Sequence, residues 1–308
     1  MMLIDLYGRP LLNLRISLTQ RCNLRCSYCH REGEDSVGDK LSEMSIDEIV
    51  RIARVGSSLG IRGIKLTGGE PLIRKDIVKI VREIAKIETL EDISITTNGV
   101  MLADLAEELK NAGLRRVNIN LPTLDESVYN KLTGGKLEDV IEGIKSAVSA
   151  GLHPVKLNML VLRGINDTEV DEMINFASKT TGFLQLIELE QMNINKKYYE
   201  NYHKSLEDYE NKLKHKAIKV ENRKYMQNRS VYHLPNVTIE IVGPTENTEF
   251  CKYCTRLRVT SDGKLKPCLM KNDNLVDILT PIRNGASDDE LTNIFKEANL
   301  RRKPYFLI

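Results

Sequence analysis

The chain has 308 residues, of which 41% are apolar and 29% are charged, so it can bury a core and a disordered chain is excluded. No apolar run approaches the about 18 residues that a membrane span needs, and the first residues lack the basic start and apolar segment of a signal peptide. These two observations lead us to expect a cytoplasmic protein with no membrane partner. With 45 Lys and Arg against 43 Asp and Glu, the net charge is only +2, so we expect no nucleic-acid partner.

Apolar periodicity predicts alternating strands and helices through the first two thirds of the chain. A first strand is predicted over 14–18, and a second strand ends at Thr67. Between them, Ser45 and Glu48 form a capping box that opens a helix ending near Gly60. The later elements are a helix with apolar residues at Leu102, Leu105, Ala106 and Leu109, a strand through Val117 and Ile119, a helix with apolar residues at Val140, Ile144, Ala147 and Val148, a strand over 155–162, a helix over 170–177 and a strand over 184–189.

About six such βα units imply a parallel sheet, because parallel strands need a crossover connection. The sequence has no Gly-x-Gly-x-x-Gly loop, which favours an open barrel over a dinucleotide-binding sheet. The expected fold class is therefore α/β, a partial TIM-type barrel with a small C-terminal domain. We assign the barrel to residues 1–220 and the C-terminal region to 221–308, and we interpret the polar stretch 196–229 as helix plus linker.

In a barrel of this kind, ligand groups gather where strands end and loops begin. Polar or small residues that lie at or near the predicted strand ends are Arg15, Thr67, Gly69, Thr96, Asn120, Lys156 and Glu188. These residues are the first candidates for contact with a ligand.

The six cysteines form two groups of three, Cys22, Cys26 and Cys29, and Cys251, Cys254 and Cys268. Disulfides fit poorly, because the first group packs three thiols into eight residues and no secretory signal is present. Structural zinc prefers four N or S ligands, so zinc is weak for the first group and stays open for the second. A [4Fe–4S] cluster held by three cysteines keeps one iron open to a small molecule, which points to chemistry at the cluster.

Two motifs in this order resemble the radical S-adenosylmethionine (SAM) superfamily. The first is Cys22-x3-Cys26-x2-Cys29 with the aromatic residue Tyr28 before the last cysteine, and the second is Gly68-Gly69-Glu70. The resemblance implies that the three cysteines hold a [4Fe–4S] cluster whose open iron takes the amino and carboxylate groups of SAM. It also implies a set of SAM contacts, namely Tyr28, Gly69, Asn120 and Glu190.

The stretch from Phe250 to Cys268 resembles the second-cluster motif of the GTP 3′,8-cyclase family. This resemblance runs along nearly the whole chain, from Arg15 to Phe306. It implies that the C-terminal cysteines hold a second [4Fe–4S] cluster that binds the guanine. The implied contacts with GTP are Arg15, Lys65, Thr96, Lys156, Arg256, Leu257 and Arg258, among which the two arginines flanking Leu257 would share one face of a strand and bind phosphate oxygens.

Membership of this family would make the chain a lyase that uses SAM to convert GTP to (8S)-3′,8-cyclo-7,8-dihydroguanosine 5′-triphosphate. That conversion is the first step of molybdenum cofactor (molybdopterin) biosynthesis. The implied partners are GTP as substrate, an electron donor, and the enzyme that turns the product into cyclic pyranopterin. Two alternatives stay open: a radical SAM peptide maturase, and a non-enzymatic iron–sulfur protein with a regulatory or RNA-binding role.

Several positions depart from the family pattern. Gly63 stands where bacterial relatives have a second basic residue two before Lys65. Asn120 stands where the family has serine, Gln185 replaces an arginine and so removes one cation, and Glu190 replaces a methionine. Whether these last three residues take over the family's contacts is open.

The end of the chain also departs from the pattern. Many relatives end in Gly-Gly, whereas this sequence ends in Phe306-Leu307-Ile308. We expect this apolar end to dock on the protein rather than to reach into a site. We expect the basic run Arg301-Arg302-Lys303 to be a solvated tail.

Overall fold

The strands join in one mixed sheet in the computed structural model, which describes residues 2–34 and 43–306. The first six strands are β1 (Asn13–Ser17), β2 (Gly63–Thr67), β3 (Asp92–Thr97), β4 (Arg116–Asn120), β5 (Val155–Val161) and β6 (Phe183–Glu188). The rest are β7 (Lys219–Arg223), β8 (Arg229–Leu234), β9 (Val237–Val242), β10 (Arg256–Val259), β11 (Lys264–Lys266) and β12 (Val276–Asp277). The spatial order is β12-β11-β10-β1-β2-β3-β4-β5-β6-β9-β8-β7.

Strands β1 to β6 are parallel neighbours in chain order, as βα units require. The helices between them are α1 (Ile46–Ser58), α2 (Ile77–Ala85), α3 (Leu102–Asn111), α4 (Glu126–Thr133), α5 (Leu137–Ser149) and α6 (Val170–Thr180). The C-terminal part then returns to both edges, because β10 pairs in parallel with β1 and β9 in parallel with β6. Its helices are α7 (Lys196–Tyr202), α8 (Glu207–Lys216), α9 (Thr248–Lys252), α10 (Leu279–Arg283) and α11 (Asp288–Leu300).

The central strands are apolar on one face and polar on the other. Successive side chains of a strand point to opposite faces, so Leu14 and Ile16 of β1 lie in the core shared with the helices while Arg15 lies on the other face. Strand β4 repeats this pattern with Val117 in the core and Asn118 opposite it. Parallel sheets are usually apolar on both faces, so a polar face indicates a wet or ligand-binding interior.

The predicted elements between residues 14 and 189 are confirmed to within a few residues at their ends. The capping box is present, since the Ser45 hydroxyl accepts from the Glu48 N–H at 3.3 Å and the Glu48 carboxylate accepts from the Ser45 N–H at 2.7 Å. Strand β3 and two helices, α2 and α4, have no counterpart among the predicted ranges. In α5 the apolar stripe is narrower than predicted, because Val148 is 43% exposed while Ile144 is buried.

Two further expectations are wrong. In the stretch 196–229 the expected helix is present as α7 and α8, but the expected linker is wrong, because β7 follows and pairs with β8 at the edge of the sheet. The run 301–303 is not a solvated tail, because Arg302 is only 1% exposed. The expected docking of the apolar end falls on Leu307 and Ile308, which lie outside the described residues.

Among residues 2–34 and 43–306, no helix combines the length and apolar character that crossing a bilayer demands.

The two apolar positions on α5 give a direct test of its packing. We expect Ile144→Ala to lower the free energy of unfolding by about 2–5 kcal/mol, because it leaves a cavity in the core. Val148→Ala, on the same helix but half exposed, should change it by less than about 0.5 kcal/mol. Urea unfolding of both variants checks this, and equal effects would contradict the observed orientation of α5.

Candidate active site

A cavity of about 530 Å³ lies against the polar face of the sheet. All of the predicted site residues line it except Leu257. Leu257 pairs with Leu14 in the register of β10 and β1, and its fully buried side chain belongs to the core. Alternation along β10 turns the Leu257 side chain away while Arg256 and Arg258 face the cavity, so contact between Leu257 and GTP stays a prediction that only its backbone could fulfil.

The two cysteine groups enter the cavity from opposite ends of the parallel strands. Cys22, Cys26 and Cys29 follow the carboxyl end of β1. The second group lies at the amino end of β10, because Cys254 comes two residues before that strand and Cys268 follows β11, its antiparallel neighbour. A molecule in the cavity therefore has a set of three thiols at each end.

The thiols of each group are close enough to repel one another as thiolates. Burial, and then the charges of Cys29 and Cys22, raise the pKa of Cys26 to about 12. In the second group, burial and the charge of Cys254 raise the pKa of Cys268. Burial opposes ionisation of Cys254 as well, but Arg302 and Arg256 outweigh it and lower the pKa of that thiol. Clustered thiols suit a cationic partner such as the irons of a [4Fe–4S] cluster, so both groups fit one. No set of three or more His, Cys, Asp or Glu side chains within 2–34 and 43–306 is placed to hold a single metal ion.

The Gly68-Gly69-Glu70 loop packs directly on the first cysteine loop. A Cβ at Gly69 would overlap the carbonyl oxygens of Gln20 and Arg21, so glycine is needed there for contact between the loops. The Gly69 N–H donates to the Thr19 carbonyl at 2.6 Å. This contact places the Gly69 backbone at the cavity wall, beside the cysteines.

Glu70 connects this loop to the end of β3. Its carboxylate accepts hydrogen bonds from the Thr97 hydroxyl at 2.7 Å, the Asn98 N–H at 2.7 Å and the Leu72 N–H at 3.0 Å. Burial nevertheless raises the pKa of Glu70 to about 7. Asn98, which was not predicted, donates through its side chain to Asn23 at 2.7 Å and so braces the cysteine loop.

Glu32 is the acidic centre on the β1 side of the cavity. Its two carboxylate oxygens pair with Arg15 at 2.7 Å and Arg258 at 2.8 Å, and Thr67 donates to it at 2.9 Å. Burial alone would raise the pKa of Glu32, but the two arginines outweigh it and lower the pKa to about 2. Because Glu32 follows Cys29 by three residues, these ion pairs also tie the first cysteine loop to β1 and β10.

Glu240 on β9 is the acidic centre on the other side. It pairs with Lys156 at 3.0 Å, Arg223 at 3.4 Å and Arg229 at 3.5 Å, and it accepts from the Gln185 amide. Burial opposes ionisation, but Arg229 and Lys156 lower the pKa of Glu240 below its ordinary range. Gln185, which the family pattern gives as arginine, thus shares the Glu240 carboxylate with two arginines of the β7–β8 hairpin.

The remaining cations of the cavity wall are less fully paired. Lys65 donates to the side-chain amide oxygen of Asn118 at 2.9 Å, and burial and then Arg116 lower the pKa of Lys65 well below the ordinary value. Arg256 has no ion pair and no side-chain hydrogen bond within the described residues. In total the wall carries eleven Lys and Arg against five Asp and Glu, which leaves it strongly positive although the chain is nearly neutral.

Strand position separates the predicted residues into two sets. Arg15 and Lys65 lie in the middle of their strands and Lys156 is the second residue of β5, so they do not occupy the carboxyl ends where ligand groups were expected. Asn120 does end β4, and Thr96 lies one residue before the end of β3. Charged residues of the cavity wall that were not predicted as contacts are Arg9, Arg31, Glu32, Asp92, Arg116, Arg223, Arg229, Glu246 and Lys303. Glu240, also not predicted, is buried and pairs with cations of the wall. Arg116 continues the polar alternation of β4 and could have been identified from it.

We expect Glu32→Gln to lower the free energy of unfolding by about 3 kcal/mol at neutral pH. The carboxyl titrates at about 2 in the folded chain and near 4.5 when unfolded, so its ion pairs stabilise the fold fully above pH 4.5 and less as the pH falls toward 2. The difference between parent and variant should therefore shrink across that range. Urea unfolding of the iron-free chains at several pH values checks this; Glu107→Gln, at an exposed glutamate, is the control, and a difference that is constant with pH would contradict it.

Comparison with known proteins places the chain in a family. Residues 16–177 match the model of the radical SAM superfamily, and residues 183–308 match that of Molybdenum Cofactor Synthesis C. A protein of Pyrococcus abyssi named "Probable GTP 3′,8-cyclase" is 51% identical over 99% of this chain and 100% of its own length. A protein of the same name from Methanocaldococcus jannaschii is 46% identical over 99% of both chains.

Solved structures agree on the fold. Streptococcus suis SuiB bound to S-adenosylmethionine superposes with a TM-score of 0.65 at 17% identity, covering 97% of this chain and 73% of that one. Native anSMEcpe with bound AdoMet gives 0.61 at 17% identity, covering 95% and 84%. At such identities the likeness shows only the fold, an α/β radical SAM fold with a mixed sheet. The family models and the relatives at 46–51% identity show that the chain belongs to the GTP 3′,8-cyclase family of the radical SAM superfamily.

Proposed function

We propose that the chain is a GTP 3′,8-cyclase, which converts GTP to (8S)-3′,8-cyclo-7,8-dihydroguanosine 5′-triphosphate for molybdenum cofactor biosynthesis. The observation that carries the proposal is a single cavity with a cysteine group at each end and an excess of cations along its wall. A nucleoside triphosphate matches that arrangement, because its phosphates need cations and its base and ribose extend away from them.

Cys22, Cys26 and Cys29 would hold the first [4Fe–4S] cluster, and Cys251, Cys254 and Cys268 the second. When bound, the first cluster and SAM supply the one-electron cleavage that generates a 5′-deoxyadenosyl radical. The role of the protein is to position the reactants and to exclude water. The free thiols also suit a reducing compartment, which supports the cytoplasm as the place of action.

The SAM contacts would come from Tyr28, Gly69, Asn120 and Glu190. Tyr28 packs against a small apolar cluster of Leu132, Leu162 and Leu189, which gives the cavity a dry wall beside the first cysteines. One oxygen of Glu190 is buried without a hydrogen-bond partner among the described residues. A buried acceptor of this kind is suited to an N–H of the amino group of the SAM methionine.

The triphosphate would be bound by Arg15, Lys65, Lys156, Arg256 and Arg258. Several of these cations repel one another in the free protein, so an anion that enters the cavity relieves repulsion as well as forming ion pairs. Arg256 has no competing carboxylate, which makes it the strongest candidate for a direct phosphate contact. Thr96 would contribute a neutral contact, and Leu257 only its backbone.

We infer that the parallel strands curve into a partial barrel of about six βα units. Support comes from the cavity itself, which takes its wall from one face of strands as far apart in the sheet as β10 and β6. We also propose that residues 1–220 carry the first cluster and 221–308 the second. The boundary falls inside β7, so the two parts would share one sheet.

An electron donor and the enzyme that makes cyclic pyranopterin are the partners that this function requires. The alternative of a peptide maturase draws on fold likeness alone, and 17% identity to SuiB carries no information on substrate. A regulatory or RNA-binding protein would have no use for two groups of three cysteines that face one cavity. Neither alternative is favoured by an observation of its own.

Nucleotide dependence of SAM cleavage tests the proposed substrate. After anaerobic reconstitution with iron and sulfide, we expect SAM and a strong reductant to yield 5′-deoxyadenosine at least about tenfold faster with GTP than with ATP or no nucleotide. Chromatography should also show a new GTP-derived product. Cys22→Ala is the control that should abolish cleavage, and cleavage indifferent to nucleotide would refute GTP as substrate.

The unpartnered arginine provides a test of the phosphate site. We expect Arg256→Met to raise the KM for GTP by about tenfold or more, since a charge-assisted hydrogen bond contributes about 1.5–3 kcal/mol. Iron content should stay unchanged. The control is Arg54→Met, an exposed arginine of α1 that should leave KM as it was. An unaltered KM in Arg256→Met would remove this residue from the phosphate site.

A further inference from the structure

Arg302 is the largest fully buried side chain in the described part of the chain. Its guanidinium donates to the Cys254 carbonyl oxygen at 2.6 Å and to the Asn299 side chain at 3.0 Å. It also donates to the Arg9 carbonyl oxygen at 3.3 Å and lies 3.5 Å from the Asp5 carboxylate. Burying a guanidinium group is costly unless it is paired and hydrogen-bonded. The four partners of Arg302 offset this cost and hold its side chain in one position.

Arg9 makes a matching set of contacts from the N-terminal segment. Its side chain donates to the Cys251 carbonyl oxygen at 2.9 Å and to the Asp5 carboxylate at 2.7 Å. The Asp5 oxygen that accepts from Arg9 is the same oxygen that faces Arg302. Two arginines therefore share one buried carboxylate, and each reaches the backbone of a different cysteine.

The second cysteine loop is contacted by the N-terminal segment, by the backbone at the start of β1 and by the residues at the end of α11. Asn299 ties the end of α11 to the N-terminal segment, because its amide donates to the Ile4 carbonyl oxygen at 3.0 Å. The residue after Cys254 is held in turn, since the Thr255 carbonyl accepts from the Leu12 and Asn13 N–H groups. The backbone on both sides of the loop is thus fixed by residues that have no place in the predicted site.

We propose that Arg302, together with Arg9 and Asp5, is a positioning residue for the second iron–sulfur cluster. The carbonyl hydrogen bonds hold the Cys251–Cys254 loop in the conformation that presents both thiols to the cavity. Two guanidinium groups and one carboxylate leave a net positive charge behind the loop, which stabilises an anionic thiolate-ligated cluster and most of all its reduced form. The inference rests on the proposed function, because it requires a cluster on these cysteines.

The experiment observes the second cluster alone, in the full chain with Cys22, Cys26 and Cys29 changed to Ala. After anaerobic reconstitution, this background should hold about four irons per chain. We expect Arg302→Met to lose more than half of that iron, because the loop loses its clamp. We expect Arg302→Gln to keep most of the iron, since an amide still donates to the Cys254 carbonyl, but to shift the reduction potential to more negative values because the charge is gone.

Arg301→Gln is the matched control. Arg301 is the exposed neighbour, donates to Glu297 and to the Leu275 carbonyl oxygen, and should leave both iron content and potential unchanged. Circular dichroism of the iron-free chains shows whether each variant folds. If Arg302→Met does not fold, the reduction potential of Arg302→Gln tests the proposal. A folded Arg302→Gln chain with the potential of the Arg301→Gln control overturns the proposal. A background that binds no iron overturns the two-cluster function as well, so the two failures are distinguishable.

Discussion

Repulsion between cations that lie next to one another on the polar face of the sheet is the constraint on which the site depends. Arg15, Arg258 and Arg256 lie on two adjacent strands, and Lys65 lies next to them on β2. Two buried carboxylates, Glu32 and Glu240, offset part of that repulsion and leave the rest. The free protein therefore carries uncompensated positive charge at the cavity wall, and this arrangement of side chains favours the binding of an anion.

The two carboxylates do more than balance charge. Glu32 belongs to the segment after Cys29, so its ion pairs with Arg15 and Arg258 fasten the first cysteine loop to β1 and β10. Glu240 joins Lys156 to arginines of the C-terminal hairpin. In both cases the residues that would hold phosphate also hold the fold together. Changes to the charge of the cavity wall are therefore expected to alter stability as well as binding.

The C-terminal part supplies both edges of the parallel sheet, and this return decides where the second cysteines lie. Strand β10 enters beside β1 and brings Cys254 to the amino end of the parallel strands. Strand β9 enters beside β6 and brings Glu240 to Lys156. The buried pairing of Arg302 and Arg9 with Asp5 then fixes the loop between these two strands against the N-terminal segment.

The sequence by itself determined the α/β class, the order of the central elements, both cysteine groups and the family, because apolar period and motif spacing are local properties of the chain. The candidate site residues that it indicated line the cavity, apart from Leu257. Only the tertiary structure decided which charges pair and which side chains are buried. Glu32 meets Arg258 from 226 residues away, and Arg302 meets Arg9 from 293 residues away, so no local pattern marks either contact. A basic run such as 301–303 can be solvated or can pair with a buried carboxylate. Its position in the fold determines which of the two occurs, and Arg302 is buried against Asp5.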